Sequence, residues 1–258
     1  MLCLLLCVIC ISSKQKVEAK EYNMYVKSNF ATAREGTSTS SKTVKIYKIG
    51  QKLTCTGQKG SYTKILYKGQ KAYVLTSKLT KKKLATAKVL KGMSTSAFIK
   101  YIGPLAQKDY HRSGILASVT IAQAYLETGY GQSELCQKAN NLFGMKKVIS
   151  HNTWKGSLWT GMSYKKRTAE YKNGTKKYYI TAYFRKYNSL AQSIADHSAY
   201  LINSKKDDGS TRYKGITATT SYKKQLSIIQ KGGYATSKYY SKHLAAIIKT
   251  YNLTKYDK

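Results

Sequence analysis

Carboxylates are scarce in this chain: 11 Asp and Glu stand against 46 Lys and Arg in 258 residues. Chemistry that needs an acid therefore has few places to reside. Glu21 and Asp257 lie near the ends, and Glu35 occupies a turn in a strand-rich segment. Asp207 and Asp208 precede Gly209 in the loop-like "KKDDGS", while Asp109 and Asp196 read as helix-surface or capping residues. Glu127, Glu134 and Glu170 remain as candidates. Glu127 ends the apolar run of "AQAYLETGYGQS". In the last turn of a helix, an ionised carboxylate meets the negative end of the macrodipole, and Tyr125, Leu126 and Tyr130 would desolvate it. Both effects favour the neutral form that a general acid needs. Gly129 and Gly131 would let a polymer approach the backbone closely. A solvated helix-end glutamate is the competing reading of the same position. Glu170 stands just before an Asn-Gly turn and projects from a hairpin over a cleft, or is an exposed strand carboxylate beside Lys and Arg. Glu134 reads as a capping or surface residue. His111, His151, His197 and His243 show no metal-ligand spacing, and Ser, Cys and His form no nucleophilic triad. Neither cofactor nor metal is expected.

The elements that must position these residues change character along the chain. Tyr25 to Leu79 alternates as short strands, with Val44, Ile46, Ile49 and Leu53 assigned to inward positions and Lys68-Gly69 to a tight turn. About sixty residues without a helical period predict a small all-β barrel. Residues 81–93 are basic, lack an apolar period and read as a linker. From Ser94 the period becomes helical, through Phe98, Ile99, Ile102 and Leu105 after a Ser-Thr-Ser cap region. A second helix is predicted from Gly114 to Thr128, buried along Ile115, Val119, Ala122 and Leu126 and stopped by Gly129. Lys172-Asn173-Gly174-Thr175 marks a β-hairpin, and Ser189–Asn203 and Tyr239–Tyr251 return to helical spacing. Helices enclosing one hairpin lobe predict an α+β domain over residues 94–258.

Residues 1–19 read as a secretory signal peptide, with an apolar core "LCLLLCVICI" too short to span a bilayer and a small residue, Ala19, at the cleavage site. No Lys or Arg precedes that core. Cys55 and Cys136 then remain, far apart and assigned to different domains, so neither a disulfide framework nor a cysteine zinc site is expected, and both read as small packed hydrophobes. The net charge of +35 suits polyanions. The lysines are spread along the chain, and no zinc-finger or basic-zipper pattern is present, so specific nucleic-acid binding is not expected. Outside a bacterium, the corresponding partners are anionic wall polymers. The mature chain is read as a monomer without a membrane span.

Two segments carry family resemblances. "NFATAREGTSTSSKTVKIYKIGQKLTCTG" followed by "GSYTKILYKGQKAYVLTSKL" resembles a bacterial SH3-type domain over residues 20–80, which implies a closed small barrel and wall targeting; a spacer without affinity is the alternative. "GILASVTIAQAYLETGYGQSELCQKANNLFGMK", "TAEY", "AYFRKYNSLAQSIADHSAYL" and "GGYATSKYYSKHLAAIIKTYNL" resemble, in order, glycoside hydrolase family seventy-three. These are lysozyme-like bacterial β-N-acetylglucosaminidases that cut peptidoglycan. The resemblance implies Glu127 as general acid, Glu170 as base or stabiliser, and Tyr234 as a cleft tyrosine. Asn141 and Phe143 then read as parts of the cleft wall, with core packing the favoured alternative for Phe143. Tyr125, Tyr130, Trp154 and Trp159 are candidate sugar platforms, since flat apolar faces suit the C–H faces of pyranoses. Hydrolysis of the β-1,4 bond on the reducing side of N-acetylglucosamine follows, by water activated at Glu170 or by the substrate's own acetamido group. A muramidase or lytic transglycosylase on the same fold, or a wall-binding protein without activity, are the rival readings.

Overall fold

The computed structural model describes residues 20–149, 154, 156–172 and 176–258, with side chains omitted for 169–172 and 176–178. Residues 1–19, read from sequence as a signal peptide, His151 and the Asn173-Gly174 pair lie outside the described residues.

The first unit is one antiparallel sheet of seven strands: β1 (Tyr22–Val26), β2 (Phe30–Arg34), β3 (Thr43–Lys48), β4 (Lys52–Lys59), β5 (Tyr62–Tyr67), β6 (Gln70–Leu75) and β7 (Leu79–Thr80). Their order, β3-β2-β6-β5-β4-β1-β7, leaves β3 and β7 as edges, so this is an open sheet and not the closed barrel predicted. One face buries Met24, Val26, Ala33, Leu53, Cys55, Ile65 and Val74. Lys68 and Gly69 make the tight turn between β5 and β6, both with positive φ. Of the four positions assigned inward, Ile49 and Leu53 are buried and Val44 packs on the sheet core, but Ile46 is 53% exposed and Tyr47 is buried in its place. A strand has a side-chain period of two, and the register shift opposite Ala33 and Arg34, which skips Val44, breaks that alternation within β3.

The second unit is built on helices α1 (Thr95–Ser113), α2 (Ala117–Thr128), α3 (Glu134–Ala139), α4 (Leu190–Asn203), α5 (Tyr222–Lys231) and α6 (Tyr240–Thr250), with a hairpin of β8 (Ser163–Lys172) and β9 (Lys176–Arg185) inserted before α4. The Ser94 hydroxyl accepts from the Ala97 N–H to start α1, and Gly114 in the left-handed region ends it. The second helix therefore starts at Ala117, not at Gly114. It is the central helix, buried on every side from Ala117 to Ala124, and Leu126 is 38% exposed instead of completing a stripe. Its N-terminus lacks a side-chain cap of its own. Asp257, from the far end of the chain, supplies the cap: its two oxygens accept from the Ser118 N–H at 2.8 Å and the Ser118 hydroxyl at 2.7 Å. Asp109, predicted on a helix surface, is buried between α1 and α4, where it accepts from Arg112 at 2.9 Å and from the Ser198 hydroxyl at 2.6 Å.

The stretch 81–93 is packed and not a solvated tether. Ala87 and Leu90 enter the helical core, the Ala87 N–H donates to Asn140 Oδ1 at 2.7 Å, and the Leu190 N–H donates to the Ala85 carbonyl at 2.9 Å. The sheet docks directly as well. Ile49 joins Leu158 and Ala195 in an apolar cluster, and Lys48 Nζ donates to the Ser157 and Trp159 carbonyls, each at 2.7 Å. Among the described residues, no helix is long and apolar enough to cross a membrane.

Candidate active site

Glu127 occupies the last turn of α2 because Gly129, at φ +55°, ends the helix two residues later. The next glycine has another purpose than the one predicted. A Cβ on Gly131, at φ +88°, would lie 3.0 Å from Leu90 Cβ and 3.2 Å from Phe98 Cδ2. Its missing side chain thus admits Leu90 of the 81–93 stretch and Phe98 of α1. The turn is tied by the Thr128 hydroxyl, which donates to the Ala124 carbonyl at 2.5 Å and accepts from the Gly131 N–H at 2.7 Å.

Glu127 lines a cavity of about 300 Å³ with Phe143, Gly144, Met145, Lys146 and Ile149 from the segment after α3, Tyr200 from α4, and Tyr234 and Ala235 from the loop between α5 and α6. Among the described residues it has the geometry of a substrate cleft: apolar walls with a few convergent polar groups. Glu127 is open toward the cavity, but protein surrounds its carboxyl on the remaining sides. Burial raises its pKa above the ordinary carboxylate value, and a hydrogen bond from Tyr240 acts in the opposite, smaller sense. The Tyr240 hydroxyl donates to Glu127 Oε1 at 2.7 Å. Burial, one of the two effects invoked from sequence, is the larger of these two causes.

Tyr234 reaches the same cavity and bonds His197 Nε2 at 2.9 Å. His197 is fully buried, stacked 3.8 Å from the Phe143 ring, and burial pulls its pKa down to about 3. It is therefore a neutral imidazole. Phe143, only 4% exposed, contributes one face to the cavity and the other to this stack. Asn141 is not free to bind a ligand. It is buried, its amide donates to the Met145 and Arg185 carbonyls at 2.9 Å each, and its oxygen accepts from the Met145 N–H at 3.0 Å. Its work is to fold the Phe143–Lys146 wall.

The four aromatic platforms predicted from sequence do not line this cavity. Trp154 and Trp159 flank the Arg185 guanidinium, whose central carbon lies 4.2 Å and 4.9 Å from their ring centroids. Tyr125 packs against Tyr130, Tyr251 and Phe98; two residues from Glu127 on a helix, it points along a different face. Tyr130, 36% exposed at φ +47°, lies outside the cavity on that same face. Glu134 is occupied by the hairpin: it accepts from the Tyr164 hydroxyl at 2.6 Å and pairs with Lys166 at 3.4 Å. Glu170 belongs to β8, opposite Tyr178; its side chain lies outside the described residues.

Sequence reasoning missed Tyr240, His197 and Tyr200. Tyr240 sits at a helical position among apolar residues, where a tyrosine is indistinguishable from core packing. His197 carried no metal spacing, and its actual partner is a hydroxyl 37 residues away. Asp196, predicted at a surface, is wholly buried and gathers the base of the hairpin. It accepts from Arg185 Nη1 and the Tyr187 hydroxyl, each at 2.8 Å, from the Ser157 hydroxyl and Leu158 N–H, each at 2.7 Å, and from the Trp159 N–H at 3.2 Å. Among the described residues, no group of three or more His, Cys, Asp or Glu side chains is arranged to hold a metal.

Comparison with known proteins bears on this arrangement. A family model described as mannosyl-glycoprotein endo-beta-N-acetylglucosaminidase matches residues 103–253. Exo-glucosaminidase LytG of Bacillus subtilis (strain 168) is 36% identical over 160 residues, which cover 62% of this chain and 52% of LytG. Peptidoglycan hydrolase FlgJ of Pseudomonas aeruginosa is 34% identical over 161 residues, covering 60% of this chain and 36% of FlgJ. The chain thus spans about half or less of these two relatives. The crystal structure of the catalytic domain of the autolysin Auto from Listeria monocytogenes matches with a TM-score of 0.53 at 30% identity, over 66% of this chain and 93% of that domain. With a cleft carboxyl built on the shared helical fold and a family match over more than half its residues, the chain belongs to the glucosaminidase family of glycoside hydrolases.

Proposed function

We propose that this chain is a peptidoglycan hydrolase that cleaves the β-1,4 bond between N-acetylglucosamine and N-acetylmuramic acid. The observation that carries the reading is Glu127: an acid whose burial favours the protonated form, open on one side to a cavity. Glu127 protonates the leaving oxygen as the sugar gains oxocarbenium character. In this reading Glu170, on strand β8 of the hairpin, activates water from the opposite face. Tyr234, its ring part of the cavity wall, contacts the bound sugar. We further propose that residues 1–19 direct secretion and that the N-terminal sheet is an SH3-type wall-binding unit. A cavity of about 550 Å³ on that sheet, lined by Glu35, Lys42, Tyr67, Lys68 and Lys71 among others, supports an anionic wall polymer as its ligand.

Mass spectrometry of digested sacculi tests the reading. New reducing-end N-acetylglucosamine is expected, while anhydro-muramic products would assign the chain to the lytic transglycosylases and reducing-end N-acetylmuramic acid to the muramidases. Glu127→Gln should abolish clearing of cell walls and leave wall sedimentation intact. If the unaltered chain sediments with walls but never clears them, it is a binding protein and the proposal fails.

A further inference from the structure

Tyr240 projects from the first turn of α6, is 6% exposed, and stacks on the ring of Tyr234, the centroids 5.6 Å apart. Its hydroxyl lies between two partners. On one side Gln123 Nε2, buried within α2, is 3.1 Å away; on the other Glu127 Oε1 is 2.7 Å away. A phenol has one proton to donate. The shorter contact leads to a carboxylate oxygen, an acceptor when ionised and the stronger one, so the proton points to Glu127 and Gln123 must turn its amide N–H₂ toward the phenol oxygen. That choice leaves Gln123 Oε1 buried without a partner, a cost the opposite amide orientation would exchange for an unsatisfied carboxyl in the site.

Gln123 and Glu127 are one helical turn apart on α2, so the same face that carries the acid carries the group that orients its donor. We infer that Tyr240, oriented by Gln123, is a positioning residue that reserves Glu127 Oε1 as acceptor and leaves Oε2 as the oxygen that carries the proton to the substrate. The inference rests on the reading of Glu127 as general acid. Before transfer, the neutral carboxyl accepts at Oε1 and presents its O–H from Oε2 to the glycosidic oxygen. After transfer, the proton resides on the leaving alcohol, and the carboxylate's negative charge is shared with the Tyr240 donor. Burial and the neighbouring carboxyl hold the Tyr240 hydroxyl well above the usual phenol range, so it stays a donor throughout the working pH range. The groups facing Glu127 in the cavity are Tyr234 from the α5–α6 loop, Tyr200 from α4 and Lys146 from the segment before the hairpin. His197, behind Tyr234, is neutral.

The test measures kcat, KM and the pH dependence of kcat/KM for release of reducing ends from purified sacculi, using the full chain, Tyr240→Phe, Gln123→Met and Glu127→Gln. Removing the donor withdraws a group that favours ionised Glu127, so Tyr240→Phe moves the alkaline limb to higher pH. Its kcat falls about tenfold, the scale of one hydrogen bond to a charged group, with KM little changed. Gln123→Met moves the limb the same way by less. A uniform loss of activity with the limb unmoved in both variants makes Tyr240 a packing residue and overturns the inference. Should Tyr240→Phe not fold, by its near-ultraviolet circular dichroism, Gln123→Met decides alone. Full activity in Glu127→Gln would instead remove the underlying reading, and the inference with it.

Discussion

Asp196→Asn removes one charge from the most heavily bonded side chain of the hairpin base. Five donors converge on Asp196: Arg185, Tyr187, Ser157 and the N–H groups of Leu158 and Trp159, between 2.7 and 3.2 Å. An asparagine offers one acceptor oxygen and an N–H₂, so whichever way it turns, donors on one side lose their acceptor. If Oδ1 is kept, the Ser157 hydroxyl and two backbone N–H groups remain satisfied, while Arg185 and Tyr187 face an N–H₂. Arg185 is buried, and its other contacts are the Lys146 carbonyl, the Ser157 hydroxyl and two tryptophan faces. Its charge then lacks a counter-ion, which costs roughly 3–5 kcal/mol when one partner of a buried pair is deleted. That is a large share of the ~5–15 kcal/mol by which domains are stable. Urea unfolding followed by tryptophan fluorescence is the assay, since Trp154 and Trp159 both pack on Arg185. The expected result is a midpoint lowered by that free energy with an unchanged slope, and partial recovery when Arg185→Met is added, because the double variant buries no lone charge. A loss under about 1 kcal/mol in Asp196→Asn, or a double variant as unstable as the sum of the singles, would refute the argument that this pair is desolvated and coupled.

Two further perturbations test other parts of the structure. His197 titrates at its ordinary 6.5 in the unfolded chain but only at about 3 when folded, so the unfolded state binds the extra proton in between. Stability is then lost as pH falls from 6.5 toward 3, approaching about 1.4 kcal/mol per pH unit; His197→Gln should flatten that slope in urea titrations at successive pH values, and an unaltered slope would show the imidazole is not buried. Lys48→Met deletes two hydrogen bonds from a half-buried ammonium to the Ser157 and Trp159 carbonyls, worth roughly 1–2 kcal/mol after allowance for solvent. Faster amide exchange at residues 157–159 is expected, and unchanged protection would mean that the sheet does not hold this loop.

The order of elements was legible in the sequence where it depends on neighbours in the chain. The Ser94 cap, the Gly129 stop, the Lys68-Gly69 turn and the alternation flanking Asn173-Gly174 are local signals, set by backbone sterics and by hydrogen bonds over a few residues. Glu127 was singled out for a similar reason, since few acids exist and this one closes an apolar helix. Tertiary structure decided everything that depends on what approaches from elsewhere. In sequence Asp109 and Asp196 read as helix-surface or capping residues and Asp257 only as a residue near the end; one is sealed between α1 and α4, one gathers the hairpin base, and one caps α2 from 139 residues away. The tyrosines and tryptophans divide in the same way. Trp154 and Trp159 face an arginine instead of a sugar, while Tyr234 lines the cavity and Tyr240 is the donor to the acid. Periodicity reports which side of an element is apolar, because that is a property of the element alone. It does not report whether a polar atom on that side meets water, a ligand or a partner, because that depends on groups brought close only when the chain has packed.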